Sequence, residues 1–378
     1  FRSWIHSHRD LPLEVNQWAN VFRWEMRTRP FLRTTEFLWQ EGHTAHATKE
    51  EAQWRCRRML DVYTDVLRNE LALPAVAGAK SSRERFAGAD ETLTLETIMP
   101  NGMALQACTS HFLGQRFAEA FGVKYAPADG GPPEHVWATS WGATTRLLGA
   151  TVMTHSDDTG LVLPPRIAPI QARILLLNPR KKSKMGTEDV VRLERAAREL
   201  WKGLERDGIR AEVEEDDGTA TLGKRRFACE RAGIPLRVEL GAREVERGEV
   251  VVIPRDGAER FTVPLHATQA SIPISKALVA MQERLLQRAD AKLHAAATPV
   301  FHWNQVEEKL LDAGAAKLGH SSFLVAWHDD MGEEEKVQEE TGLTLRCFPK
   351  DLQALAKGQK CIRSGKPATH IALFAKAY

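Results

Sequence analysis

The chain has 378 residues, 43% of them hydrophobic and 27% charged, and a net charge of +2. That is the make-up of a globular protein of two or three domains, and it leaves no global basic field. Any nucleic acid must bind through local patches, such as residues 180–184 (RKKSK) or 224–226 (KRR), whose plain alternative is a solvated loop. The five cysteines, Cys56, Cys108, Cys229, Cys347 and Cys361, are scattered with no C-x-x-C pair, which fits a reducing cytoplasmic setting rather than a disulfide framework. No apolar run approaches the ~20 residues of a membrane span, and no signal peptide is visible.

In chain order, the first informative stretch is residues 23–43, two strand-like segments around a loop rich in Arg and Thr. Arg23 and Glu25 share a face if the first segment is a strand, and Phe37, Trp39, Glu41 and His43 share one on the second. A face of Trp, Glu and His is a poor core, because burying charge without partners is costly. It is a good pocket wall: an aromatic surface, a carboxylate and an imidazole can enclose a small cation, while the arginines bind an anion. Residues 50–69 carry a helical period with Cys56, Met59, Leu60, Tyr63 and Leu67 inward. Residues 104–107 read as a short strand and 111–121 as a helix stopped by Gly122. Residues 129–133 form a loop, 155–160 a turn, and the prolines of 164–169 mark a domain boundary.

Beyond that boundary, strands at 172–177, 209–214, 235–240 and 250–253 alternate with helices at 188–207 and 225–232. This predicts an α/β domain with a largely parallel sheet. A long helix then runs from Ser271 to Ala296, ahead of a mixed segment with an acidic run at 328–335.

Three motifs are set aside. Residues 218–224 fit G-x-x-x-x-G-K, but Arg225 stands where a P-loop needs Ser or Thr, and acidic residues precede it. His43 and His46 face opposite sides of a strand and cannot readily chelate one metal. His155, Asp157 and Asp158 fit a hydrogen-bonded turn better than a metal site.

The wording "RPFLRTTEFLWQEGHTAHAT" resembles motif 2 of the prolyl-tRNA synthetases, class II aminoacyl-tRNA synthetases, in their archaeal/eukaryotic-type branch. "GATTRLLGA" resembles motif 3, and the resemblance extends from Phe1 to Tyr378. It implies an α+β catalytic domain on an antiparallel sheet over residues 1–170. An α/β anticodon-binding domain over 171–270 and a small α+β C-terminal domain over 271–378 would follow. It implies that L-proline is activated with ATP and passed to tRNA(Pro), in the cytoplasm, by a homodimer with no membrane partner.

By the same resemblance, Arg23 contacts the α-phosphate and the amino-acid carboxylate, and Arg33 and Arg146 hold the γ-phosphate end, with Mg²⁺ neutralising charge. Arg23 and Arg146 are thus the catalytic pair, and Glu25, Phe37, Gln106 and Thr109 join the ATP site. Trp39, Glu41, His43, His111, Ser140 and Gly142 line the proline site. In "ERAGIPLRVELGAREVERG", Glu230, Arg237 and Glu239 match charged positions of the anticodon-binding pattern, where structural roles fit nearly as well. Tyr378 matches a terminal Tyr that folds back toward the active site. Relatives' zinc-binding cysteine pairs are not kept: residues 328–333 hold no cysteine, and Ser364 follows Cys361 where a thiolate would sit. No zinc is therefore expected. The short link between Ala126 and Val136 leaves no room for a large bacterial-type editing domain. Motif 1 and a proline-closing loop are expected ahead of Phe1, so the chain alone is expected to be inactive. Two alternatives remain: a threonyl or glycyl enzyme of the same class, and a non-catalytic synthetase-like module that binds tRNA or a partner.

Overall fold

The computed structural model describes residues 1–177, 186–214, 220–311 and 322–378. They form two compact units: Phe1–Asn69 with Leu73–Ala150 and Asp290–Tyr378, and Glu70–Ala72 with Thr151–Ala289. The basic run 180–184 and part of the G-x-x-x-x-G-K stretch lie outside the described residues.

The chain opens with β1 (Leu13–Phe22), β2 (Glu36–His46), α1 (Lys49–Asp65), β3 (Val76–Ala79), β4 (Glu91–Ile98) and β5 (Ala104–Gly114). Next come α2 (Arg116–Phe121), β6 (Lys124–Tyr125), β7 (Glu134–His135), β8 (Trp137–Thr144) and α3 (Arg146–His155). The second unit holds β9 (Ala172–Leu176), α4 (Thr187–Arg206), β10 (Ala211–Val213), α5 (Leu222–Arg231), β11 (Leu236–Leu240), α6 (Ala242–Arg247), β12 (Glu249–Pro254) and β13 (Phe261–Pro264). The long α7 (Ala267–Ala296) leads to β14 (Ala297–Pro299), α8 (Trp303–Leu311), β15 (Ser322–Trp327), α9 (Met331–Thr341), β16 (Thr344–Pro349) and β17 (His370–Ala375).

In the first unit, β1-β2-β8-β5-β4-β3-β16-β17-β15-β14 form one ten-stranded sheet. Every pairing in it is antiparallel except β14 with β15. α1 packs on one face of its central strands. Thr48 caps this helix by accepting from the Glu51 amide at 3.2 Å, and Ala52, Cys56, Leu60 and Tyr63 recur at helical spacing on its buried side. The C-terminal strands carry their own apolar core around Trp327, Phe323 and Phe374.

A buried ionic cluster joins the two halves of this sheet. Glu96 on β4 accepts from Lys80 Nζ at 2.7 Å and, through its other oxygen, from Arg346 of β16 at 2.9 and 3.0 Å. Lys80 and Arg346 together hold the Glu96 carboxyl below its ordinary pKa, against the opposing effect of burial.

The sheet of the second unit runs β10-β9-β11-β12-β13. β10, β9 and β11 are parallel, but β11–β12 and β12–β13 are antiparallel, so it is mixed rather than largely parallel. The six-residue α6 is too short for a βαβ crossover, so the chain returns antiparallel.

Two expectations near the site are corrected. The strand β1 ends at Phe22, so Arg23 and Glu25 lie just past it, although the Arg23 amide still reaches the Thr35 carbonyl at 2.8 Å. The helix expected over 111–121 begins only at Arg116, and His111 belongs to β5. That strand lies between β4 and β8, and its buried small and apolar residues cover both faces, which hides the period-2 signal.

Candidate active site

The sheet face opposite α1 forms the floor of a cavity of about 1070 Å³. Register builds that floor in rows, because residues directly opposite on neighbouring strands share a face. One row runs His43, Ser140, His111, Thr92 across β2, β8, β5 and β4; the next runs Glu41, Gly142, Thr109, Thr94. Trp39 and Phe37 continue the β2 column, their rings edge to face at 6.1 Å. An ideal Cβ on Gly142 would meet nothing closer than the Gln40 carbonyl oxygen at 3.7 Å, so this position leaves the floor open.

Polar side chains here are held by named partners. Glu41 accepts from Gln17 Nε2 at 2.9 Å and faces His43 Nε2 at 3.0 Å. His111 Nδ1 lies 2.9 Å from Thr92 Oγ1, and its ring lies 4.9 Å from that of Phe86. Burial, reinforced by the neighbouring His43, brings the His111 pKa down to about 4, so the imidazole is neutral at pH 7.

The arginines gather at the other end. The Arg23 guanidinium lies 5.5 Å from both the Phe37 and the Trp39 rings. Arg33 stands 3.6 Å from Glu25. Arg29 and Arg33 bracket a tight turn whose Phe31 adopts a left-handed φ of 59°. Arg146, at the start of α3, donates to the Leu32 carbonyl of that turn at 3.0 Å and to the Gln106 carbonyl at 3.2 Å. Burial first, then the nearby Arg33, push the Arg146 pKa down. Guanidiniums that repel one another at one end of a cavity suit a polyanion.

Every residue assigned by sequence to the ATP and proline sites lines this one cavity. Tyr378 does not, but touches its rim: the main-chain oxygen accepts from Arg33 at 2.8 Å, the hydroxyl from Asn101 at 2.6 Å, and the ring lies 5.2 Å from the Arg29 guanidinium. Phe86, Glu84 and Thr92 were missed. Nothing in their local sequence marks them; the pairing of Thr92 with His111 would have done so.

In the second unit, Arg237 donates to Glu230 at 2.7 Å and to Glu239 at 2.9 Å, and Arg226 holds Glu239 at 2.6 and 2.7 Å. Glu230 and Arg237 border a smaller cavity of about 260 Å³. In the basic run 224–226, Arg225 pairs with Glu214 and Arg226 with Glu239. Asp157 of the 155–160 turn pairs with Arg255 at 2.7 and 2.8 Å. Among the described residues, no group of three or more His, Cys, Asp or Glu is placed to hold a metal, and no helix is long and apolar enough to cross a membrane.

Residues 1–155 match the "tRNA synthetase class II core domain (G, H, P, S and T)", and residues 171–272 match the "Anticodon binding domain". The chain therefore carries the core of a class II aminoacyl-tRNA synthetase. Residues 315–378 match "Prolyl-tRNA synthetase, C-terminal". Over its whole length the chain is 44% identical to a proline–tRNA ligase of Flavobacterium johnsoniae and 45% to one of Cytophaga hutchinsonii, covering 73% of each. It is 41% identical to a chloroplastic/mitochondrial proline–tRNA ligase of Arabidopsis thaliana, covering 67% of it. Crystal structures of the Cryptosporidium parvum prolyl-tRNA synthetase superpose with a TM-score of 0.90 at 35–36% identity; one contains halofuginone and AMPPNP, another L-proline and AMP. Those matches cover all of this chain and 74–77% of the other. The chain belongs to the prolyl-tRNA synthetase family.

Proposed function

We propose that this chain activates L-proline with ATP and transfers it to tRNA(Pro). The observation that carries this is the division of one cavity into an arginine end and a Trp39–Glu41–His43–His111 end. A proline carboxylate oxygen attacks the α-phosphorus, the bond to the bridging oxygen breaks, and pyrophosphate leaves. Arg23, the arginine that lies against the Phe37 and Trp39 rings, can hold both the carboxylate and the developing charge on the α-phosphate. Arg33 and Arg146 suit the β- and γ-phosphates. Glu41 suits proline's ammonium, with Trp39 and Phe37 walling its ring. Mg²⁺ would enter on the nucleotide, held chiefly by phosphate oxygens and water. In the second step, a ribose hydroxyl of the tRNA 3′ end attacks the prolyl carbonyl and AMP leaves, with no covalent enzyme intermediate.

The division into catalytic (1–170), anticodon-binding (171–270) and C-terminal (271–378) regions belongs to the same reading, supported by the family matches along the chain. Glu230, Arg237 and Glu239 are its candidates for contacting the anticodon. A homodimer is supported by the other face of β1 and β2, which leaves Trp18, Phe22 and Leu38 exposed. Amino-acid-dependent ATP–pyrophosphate exchange on the native, full-length protein tests the reading. Proline alone among the amino acids should drive exchange, and Arg23→Ala should abolish it with the fold intact. Exchange driven by threonine or glycine, or none although ATP binds, would transfer the assignment to the rival readings.

A further inference from the structure

The segment between β3 and β4 reaches the cavity at Lys80, Glu84 and Phe86; Lys80 is held by the buried cluster with Glu96, and the other two lie further along the turn. The Phe86 ring lies 4.9 Å from that of His111, tilted by 40°, and its amide donates to Thr92 Oγ1, the hydroxyl that also lies against His111 Nδ1. Phe86 is about half exposed, at 48%, so its own burial does not fix the turn. The preceding residues are fixed instead by α9 and its approach. Ser81 Oγ donates to Glu334 at 3.1 Å, Ser82 Oγ to Asp329 at 2.8 Å, and Arg83 Nη1 to Gln338 at 2.7 Å, with Glu335 a further 3.7 Å ion-pair partner. Ser81 Oγ also accepts from the Glu84 amide at 3.2 Å, which closes the turn on itself.

We infer that Ser81, Ser82 and Arg83 are positioning residues for the amino-acid subsite: through them, α9 holds Phe86 and Glu84 against the His111 side of the cavity. This rests on the reading that His111 faces proline. The physical basis is the conformational entropy lost on ordering a turn, which these side-chain hydrogen bonds help to offset. Without them the turn leaves its binding-competent state part of the time, and apparent affinity falls by that fraction.

The test uses the native, full-length protein in proline-dependent ATP–pyrophosphate exchange. Arg83→Met should raise the proline KM about five- to tenfold, with kcat and the ATP KM within about twofold of wild type. Gln338→Leu should reproduce that change from the α9 side. The double variant should add little to Arg83→Met, which already removes the bond to Gln338. Arg83→Lys should rescue part of the loss. An unchanged proline KM, additive effects, or proline and ATP KM rising together with a falling Tm would overturn the inference. A wild-type protein without proline-dependent exchange would instead overturn the functional reading beneath it.

Discussion

Glu334 lies under the turn that carries Phe86, 1% exposed, with one carboxyl oxygen bonded to Ser81 and the other buried with no hydrogen-bond partner among the described residues. Burial, helped by Glu84 and Asp329 and opposed by Ser81 and Arg83, pushes its pKa up to about 7. A carboxyl whose folded pKa exceeds its unfolded one binds more protons in the folded state, so it stabilises fully below about pH 4.5 and the benefit is lost as pH rises through about 7. Glu334→Gln keeps a neutral side chain at all pH. The variant should match wild type in Tm near pH 4.5 and exceed it at pH 8, by at most about 3 kcal/mol in unfolding free energy. Thermal melts across that range check it, and a constant difference would show that Glu334 does not titrate there.

Strand pairing assigns opposite roles to two glycines of similar sequence appearance. A Cβ on Gly42 would fall 2.2 Å from the Trp141 ring, on the face away from the row of Glu41 and His43; one on Gly142 would fit without collision. Gly42→Ala should therefore cost about 1–3 kcal/mol of stability. Gly142→Ala should change stability by less than about 0.5 kcal/mol, yet raise the proline KM several-fold by filling the floor. Denaturant titration beside exchange kinetics separates the two.

The same elements mark how far the sequence could be read. The period-2 face of β2 was legible because Phe37, Trp39, Glu41 and His43 recur at every second residue. The α1 stripe was legible too, with Ala52 in the core and Met59 only partly buried. His111 was assigned to a helix because β5 is buried on both faces and shows no alternation. Phe86 and the anchors on α9 were illegible for a different reason: local pattern says which residues turn inward, never which distant segment they meet.

For the whole molecule, the Glu96–Lys80–Arg346 cluster matters most. Its side chains are 0–8% exposed and lie on segments far apart in sequence. Replacing Glu96 by Gln would leave two buried cations uncompensated, at a cost of about 3–5 kcal/mol. Because the folded pKa of Glu96 is lowered, its contribution is present above the ordinary carboxylate pKa and fades as pH falls through the folded value. Wild type should thus lose stability in acid where Glu96→Gln does not. Native-state hydrogen exchange should show β3 and β16 amides opening together, with one free energy, and losing protection together in the variant.

That pairing also has a consequence for synthesis. Lys80 and Arg346 are 266 residues apart, so at about 5–20 residues per second the ribosome needs roughly 10–50 s to deliver the second after the first. Throughout that interval β3 is a bare edge, with backbone groups that could template pairing with a neighbouring nascent chain. The interval is long enough for residues 151–289 to emerge, while the ten-stranded sheet lacks β14 to β17 until the end of the chain arrives.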